Sequence, residues 1–370
     1  MARPDELRRL TAALAAAVRH RAGDGRGREG RPPQTGDLTF MEVCGTHTMA
    51  IARYGLRDLL PAGVRLISGP GCPVCVTSVG GLDHVVALAR LPQVTLATFG
   101  DLIRVPASRT TLAAERAAGA DVRVVYSPRD AVQLAADEPG REVVFAGIGF
   151  ETTAPTVGAA LLEAAQRGLS NFSVLSLHKV MPPPLKALLD LGETPVSGFI
   201  LPGHVSVVTG TSGFEFLARD YGVAGVVAGF EPHDVLGALL MLVRQQRPAI
   251  EIQYTRAVQP QGNVVAQQLL ERVFEPCDAE WRGLGVIPGS GLQLREEFAA
   301  FDAARRFRVD PGAPLEPRGC RCGEVLRGVV DPAECPLFGR RCTPQDPVGA
   351  CMVSSEGACA ARYRYRGIDD

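Results

Sequence analysis

Long apolar runs are missing from this sequence of 370 residues. Nothing in it approaches the roughly 18 consecutive apolar residues of a membrane-spanning helix. The opening Met1-Ala-Arg-Pro-Asp-Glu-Leu-Arg-Arg-Leu10 carries acids and arginines where a signal peptide has its apolar core. The chain is therefore expected in the cytoplasm, with no membrane partner. An excess of either charge is missing too: 39 Lys and Arg stand against 40 Asp and Glu, a formal net charge of -1. That balance removes the footprint of a nucleic-acid binder and any acidic tail. There is no GxxxxGK phosphate loop, and Gly147-Ile-Gly149-Phe-Glu151-Thr152-Thr153 lacks the third glycine of a dinucleotide fingerprint. This turn could still cradle an anion on its amides, or simply pack two α/β units together.

What is present in abundance, for a cytoplasmic chain, is cysteine. There are ten, in a compartment that keeps thiols reduced, so metal binding or redox chemistry is the expected reason. Cys44, Cys72 and Cys75 lie early and Cys277 stands alone. Cys320, Cys322, Cys335, Cys342, Cys351 and Cys359 crowd the C-terminal end. Two sulfur sites built from distant segments are implied.

The chain is too long for a single core, and its apolar pattern divides it. Residues 5–20 have helical spacing, and the Gly/Arg/Pro-rich stretch to residue 36 reads as a mobile connector, giving a first unit over 1–36. Short β-rich runs at 38–43, 64–68, 94–98 and 122–126 alternate with helical patterns and predict an α/β unit over 37–140. The rhythm restarts at 142–146, 172–177, 198–201 and 225–228, predicting a second over 141–255. Beyond about 255 the alternation weakens, and the Cys-, Pro- and Gly-rich end predicts a small iron-sulfur domain over 256–370. The expected fold is thus α/β, two parallel-sheet domains facing a cleft plus a small Cys-rich domain.

Four thiolates suffice for an iron-sulfur cluster or for zinc. The C-terminal spacings lack paired CxxC knuckles, and six cysteines divide naturally into four ligands and one redox pair, although a zinc-stapled tail remains the alternative. Gly69-Pro-Gly-Cys72-Pro-Val-Cys75 places a CxxC on a turn after a strand, which suits dithiol/disulfide exchange; half of a zinc site is the competing reading. In Met41-Glu-Val-Cys44-Gly-Thr-His47 a strand ends at a thiol and enters a helix, where the dipole favours thiolate. A soft thiolate with imidazole nearby could bind low-spin iron. Asp101, His178, His204 and Glu231 each follow an apolar strand and read as caps or site residues alike, and Cys277 reads as a bystander.

Together with Leu201-Pro-Gly-His204-Val-Ser and Cys351-Met-Val-Ser-Ser-Glu-Gly-Ala-Cys359, these motifs closely resemble the HypD family, from about residue 38 onward. Met49 stands where some members have a second histidine, so no second histidine is carried over. The resemblance implies a [4Fe-4S] cluster on Cys320, Cys335, Cys342 and Cys359, with Cys322 and Cys351 as an adjacent redox pair. It implies that Cys44, with His47 nearby, holds a transient Fe(CN)2CO iron, and that a thiol relay runs from Cys322/Cys351 to Cys72/Cys75. A HypC homologue is the expected companion and a HypE homologue the cyanide donor, the chain being monomeric alone. On this view it is an assembly scaffold for [NiFe]-hydrogenase with thiol redox activity rather than a conventional turnover enzyme. The other reading is a stand-alone [4Fe-4S] disulfide reductase with a thioredoxin-like partner.

Overall fold

A computed structural model describes residues 4–23 and 37–366. The connector expected up to residue 36 lies outside the described residues. The first helix is Pro4–Gly23, with Asp5 and Glu6 in its first turn and His20 and Arg21 in its last, charges that complement the helix dipole. Its Leu14 is fully buried in a cluster with Ile51, Leu239 and Leu242.

Eleven strands follow among the described residues: β1 (Leu38–Glu42), β2 (Val64–Ser68), β3 (Val94–Thr98), β4 (Val122–Val124), β5 (Glu142–Gly147), β6 (Phe172–Ser176), β7 (Gly198–Pro202), β8 (Ala224–Ala228), β9 (Ile250–Ile252), β10 (Phe274–Trp281) and β11 (Gly285–Leu294). Two sheets are wholly parallel, one ordered β2-β1-β7-β8-β9 and the other β4-β3-β5-β6. Parallel sheets sandwiched by crossover helices bury both faces, and β1, β3, β7 and β8 are buried at every position. The α/β class with a Cys-rich C-terminal region is what the chain adopts.

Strand pairing nevertheless cuts across the division expected at 140/141. The chain lays down β1 and β2, leaves to build the four-stranded sheet from β3 to β6, and returns to complete the first sheet with β7, β8 and β9. The reason is physical: every parallel connection needs a crossover helix, so alternation along the chain records strand order and is silent about which sheet the next strand joins. The consequence matters for the site. Cys44 follows β1, the CxxC follows β2, His204 follows β7 and Gly229-Phe230-Glu231 follows β8, so all gather at the C-terminal edge of one sheet, where parallel α/β sheets carry their functional loops.

Beyond β9 the antiparallel ribbon β10–β11, with an irregularity between Cys277 and Ala279, was not expected. It carries Trp281, fully buried, stacked on Phe150 with centroids 6.0 Å apart and donating from Nε1 to Ser290 Oγ at 2.8 Å. Trp281 also bridges to Thr77 just past the CxxC. The tail then runs through short turns to the helix Ala358–Arg366, which packs on the helix Gly45–Arg53 that Cys44 caps. No helix among the described residues is long and apolar enough to cross a membrane.

Candidate functional site

Cys44 is the N-cap of Gly45–Arg53, in extended conformation. Its surroundings depend on two glycines. A β-carbon on Gly71 would come within 2.2 Å of the Cys44 nitrogen, and one on Gly45 within 2.5 Å of Glu356 Cβ. Only bare backbone lets the CxxC loop and the C-terminal loop approach this thiol so closely. Glu42, the last residue of β1, is wholly buried. Its carboxyl accepts from Cys44 N at 3.2 Å and from Thr48 Oγ1 at 2.6 Å, and burial pushes it up to about 7. Thr46 Oγ1 donates to Glu356 Oε1 at 2.6 Å, tying the loop between Cys351 and Cys359 to the start of this helix.

The dipole effect expected at Cys44 is present but outweighed. Burial and the neighbouring Glu356 push the thiol up to about 12, against the amides of Thr46 and His47, which favour its anion. A metal ion arriving at this sulfur therefore has to displace a proton. His47 is buried and donates from Nε2 to Gly229 O at 2.9 Å, and burial lowers it to about 4, so the ring is neutral. Its Nδ1 is buried without a hydrogen-bond partner and is the ring atom left open to a ligand. Phe230 lies between the rings of His47, at 4.7 Å, and His204, at 4.0 Å.

The sulfurs form a chain. Cys72 and Cys75 stand Sγ to Sγ at 2.6 Å, with Cys72 Sγ also capping its helix by accepting from Cys75 N at 3.3 Å. Cys75 interacts in turn with Cys351, whose Sγ is 2.7 Å from that of Cys322. Cys351 reaches Cys359, and Cys322 reaches Cys320. All are free thiols, close enough that oxidation requires little backbone movement.

Cys320, Cys335, Cys342 and Cys359 line one small cavity, with Cys322 and Cys351 in its wall. The donor set fits an iron-sulfur cluster. Four thiols are the donor set of zinc as well, and among the described residues no three His, Cys, Asp or Glu side chains converge on one point. These thiols surround a space. Val348 N donates to Cys342 Sγ at 3.3 Å, the kind of amide contact that supports a ligating thiolate. A β-carbon on Gly349 would come within 2.7 Å of Cys320 Sγ, so the backbone has been kept bare beside the cavity.

Other expected residues fall elsewhere. His178 is buried, with Nδ1 3.1 Å from Ser176 Oγ and its ring against Phe274. Glu231 caps the helix Pro232–Arg244. Cys277 sits half-buried on the ribbon opposite Gly291, outside the sulfur chain. Asp101 acts electrostatically on Glu356. Glu42 and Glu356 were missed by sequence reasoning. Glu42 had a signal, a carboxylate closing an otherwise apolar strand two residues before Cys44; Glu356 had none, lying 310 residues from Thr46.

Mild oxidation is expected to close Cys72 to Cys75, and Cys75→Ser to prevent it while leaving the domain folded. A serine hydroxyl at this fully buried position should cost about 1 to 3 kcal/mol. Differential alkylation with mass spectrometry reads the pair. Zinc held at these two sulfurs, with no disulfide under any redox condition, would support the metal reading instead.

A family model described as "HypD: Hydrogenase formation hypA family" matches residues 28–366. The chain is 52% identical over 337 residues, covering 88% of each sequence, to the hydrogenase maturation factor HypD of Rhizobium leguminosarum bv. viciae. It is 52% identical over 336 residues to the hydrogenase expression/formation protein HupD of Azotobacter chroococcum mcd 1, covering 88% of this chain and 89% of the relative. Against the hydrogenase maturation factor HypD of Escherichia coli (strain K12) the figure is 49% over 335 residues, 89% of each. Matches of this length and identity show that the chain belongs to the HypD family of hydrogenase maturation factors.

Proposed function

We propose that this chain is the redox-active scaffold on which the Fe(CN)2CO group of [NiFe]-hydrogenase is assembled, with a HypC homologue sharing the iron and a HypE homologue bringing cyanide. The observation that carries this reading is the unbroken run of sulfurs from the four-thiol cavity through Cys322, Cys351 and Cys75 to Cys72, the residue after Gly71, which lies on the Cys44 backbone. Cys320, Cys335, Cys342 and Cys359 would hold a [4Fe-4S] cluster, which supplies electrons singly. The cysteine pairs collect them in twos.

Exchange along the pairs balances as follows. Cys351 thiolate attacks Cys75 of an oxidised CxxC, breaking its bond to Cys72 and forming a Cys75–Cys351 bond. Cys322 then attacks Cys351 and releases the Cys75 thiol. Two electrons and two protons have moved to the CxxC, and Cys322–Cys351 is oxidised. Cyanide held as thiocyanate on the HypE homologue requires two electrons to break its carbon-sulfur bond, leaving a thiolate and cyanide anion. Cys44 receives the iron cargo as its thiolate, and the proton it gives up goes to the buried carboxylate of Glu42, whose proton affinity burial raises. Free thiols throughout suit the cytoplasm, and the chain acts as a monomer until it pairs.

Infrared spectroscopy of the complex purified anaerobically with a HypC homologue tests the proposal. Cyanide and carbonyl stretching bands are expected from the complex. A band-free complex whose HypD-family chain instead reduces disulfides of a thioredoxin-like partner would favour the reductase.

A further inference from the structure

Asp234 lies in the first turn of the helix Pro232–Arg244 and is wholly buried. Arg256 donates to it twice, from Nη1 to Oδ1 at 2.7 Å and from Nη2 to Oδ2. Gln253 Nε2 donates to Oδ1 at 2.9 Å, and the Glu231 main-chain N–H to Oδ2 at 3.1 Å. Burying a carboxylate in this way is a costly route to stability, so its placement calls for another reason. Asp234 and Gln253 stand at the ends of neighbouring elements, and the loop after β8 runs between them.

That loop begins at Gly229. A β-carbon there would come within 2.3 Å of Asp234 Oδ2 and 2.7 Å of Tyr254 Cδ2, so the position has to be bare. Glycine has little torsional preference of its own, and the direction of its carbonyl is left to its neighbours. The Gly229 N–H donates to Gln253 Oε1 at 3.1 Å, while the carbonyl accepts from His47 Nε2 at 2.9 Å. Hydrogen bonds thus run unbroken from Arg256, half exposed at the surface, through Asp234, Gln253 and Gly229 to the buried ring of His47. A carbonyl can only accept, so Nε2 carries the ring proton and Nδ1 keeps its lone pair. Nδ1 is the buried ring atom without a partner.

We infer that Gln253, set in place by Asp234, is a positioning residue of the Cys44/His47 site: it holds the Gly229 carbonyl on His47 so that the open atom of the ring is a lone pair at Nδ1 and not an N–H. This rests on the reading of Cys44 and His47 as the place where the iron cargo is received. The hydrogen bond made by one ring nitrogen decides which tautomer the other offers. With Gly229 released, its carbonyl can turn away, and a proton on Nδ1 would leave the ring unable to accept or ligate there.

With isotope-labelled histidine, long-range nitrogen–proton NMR of the full-length chain tells protonated from bare ring nitrogens. Spectra are taken at mildly alkaline pH, where imidazoles are neutral, and the His47 signals are identified by their loss in His47→Gln. Wild type is expected to show His47 as the Nε2–H tautomer. Gln253→Leu should raise the Nδ1–H form about tenfold, the factor that one hydrogen bond supports. Gln253→Glu, which keeps an acceptor for the Gly229 N–H, should recover part of that change. In the complex with a HypC homologue, Gln253→Leu should also lower the cyanide and carbonyl bands several-fold while cluster iron stays the same. Circular dichroism reports folding, and should the leucine variant fail to fold, Gln253→Met decides by the same spectrum. A folded variant whose His47 remains wholly Nε2–H overturns the role of Gln253, and so does a mixed tautomer with undiminished bands; both leave the scaffold reading standing. A wild-type complex without bands overturns the iron-loading reading and this role with it.

Discussion

Cys335→Ala is expected to empty the C-terminal cavity: iron and acid-labile sulfide should fall from about four each per chain to near zero, and the visible absorption with them. Cys335 ends the short turn Pro332–Glu334 and is buried beside Phe338. The tail it belongs to contains only short helical turns between Cys322 and the helix that begins at Ala358, packed into the core through Leu326, Phe338, Ala350 and Met352, so a four-point attachment would add to that packing. Metal binding of this kind is folding free energy, on the order of 10 kcal/mol in zinc-stapled peptides. The variant should therefore also expose residues 310–361 to protease while the two parallel sheets stay protected. Cys322→Ala removes a sulfur that the proposal assigns to the relay, and its cluster should survive. Undiminished iron in Cys335→Ala, or loss of the cluster in Cys322→Ala, would each show that the six cysteines have been divided wrongly.

The contrast between legible and hidden parts of this chain has physical causes. Strands such as Val94-Thr-Leu-Ala-Thr98 announce themselves because a strand buried on both faces is an apolar run bounded by turns. The sheet each strand joins is hidden, because a crossover helix looks the same whether it returns to the strand just left or crosses to another sheet. The ribbon β10–β11 escaped because Pro276 and Pro288 interrupt it and Gly285, Gly289 and Gly291 read as turns; a two-stranded ribbon tolerates both. Cysteine is different, since its enrichment in a chain expected in a reducing compartment points to chemistry before any fold is known. The pairing of Cys322 with Cys351, 29 residues apart, and the approach of Cys75 to Cys351 are matters of packing. Spacing alone offered several divisions of six.

Cys44→Ala separates scaffold from reductase. The substitution removes one small buried side chain, at a cost on the order of 1 kcal/mol, so the fold should persist. Its thiol lies outside the four-cysteine cavity, so cluster iron and the Cys72/Cys75 and Cys322/Cys351 pairs should be unchanged. The cyanide and carbonyl bands of the complex with a HypC homologue should nevertheless disappear, because no other thiol caps the helix Gly45–Arg53 beside Glu42 and Glu356. Serine is a weaker test, since its oxygen could still coordinate. His47→Ala should reduce the bands without abolishing them. Its Nε2 is committed to Gly229 and only Nδ1 lacks a partner, which suits positioning or proton handling better than sole possession of the iron. Loading in that variant must be read on the folded fraction, because removing a ring from a fully buried site costs about 3 kcal/mol or more. Full cyanide and carbonyl bands in Cys44→Ala, together with lost disulfide reduction, would end the iron-carrying role of Cys44 and leave the sulfur chain as the working part of a reductase.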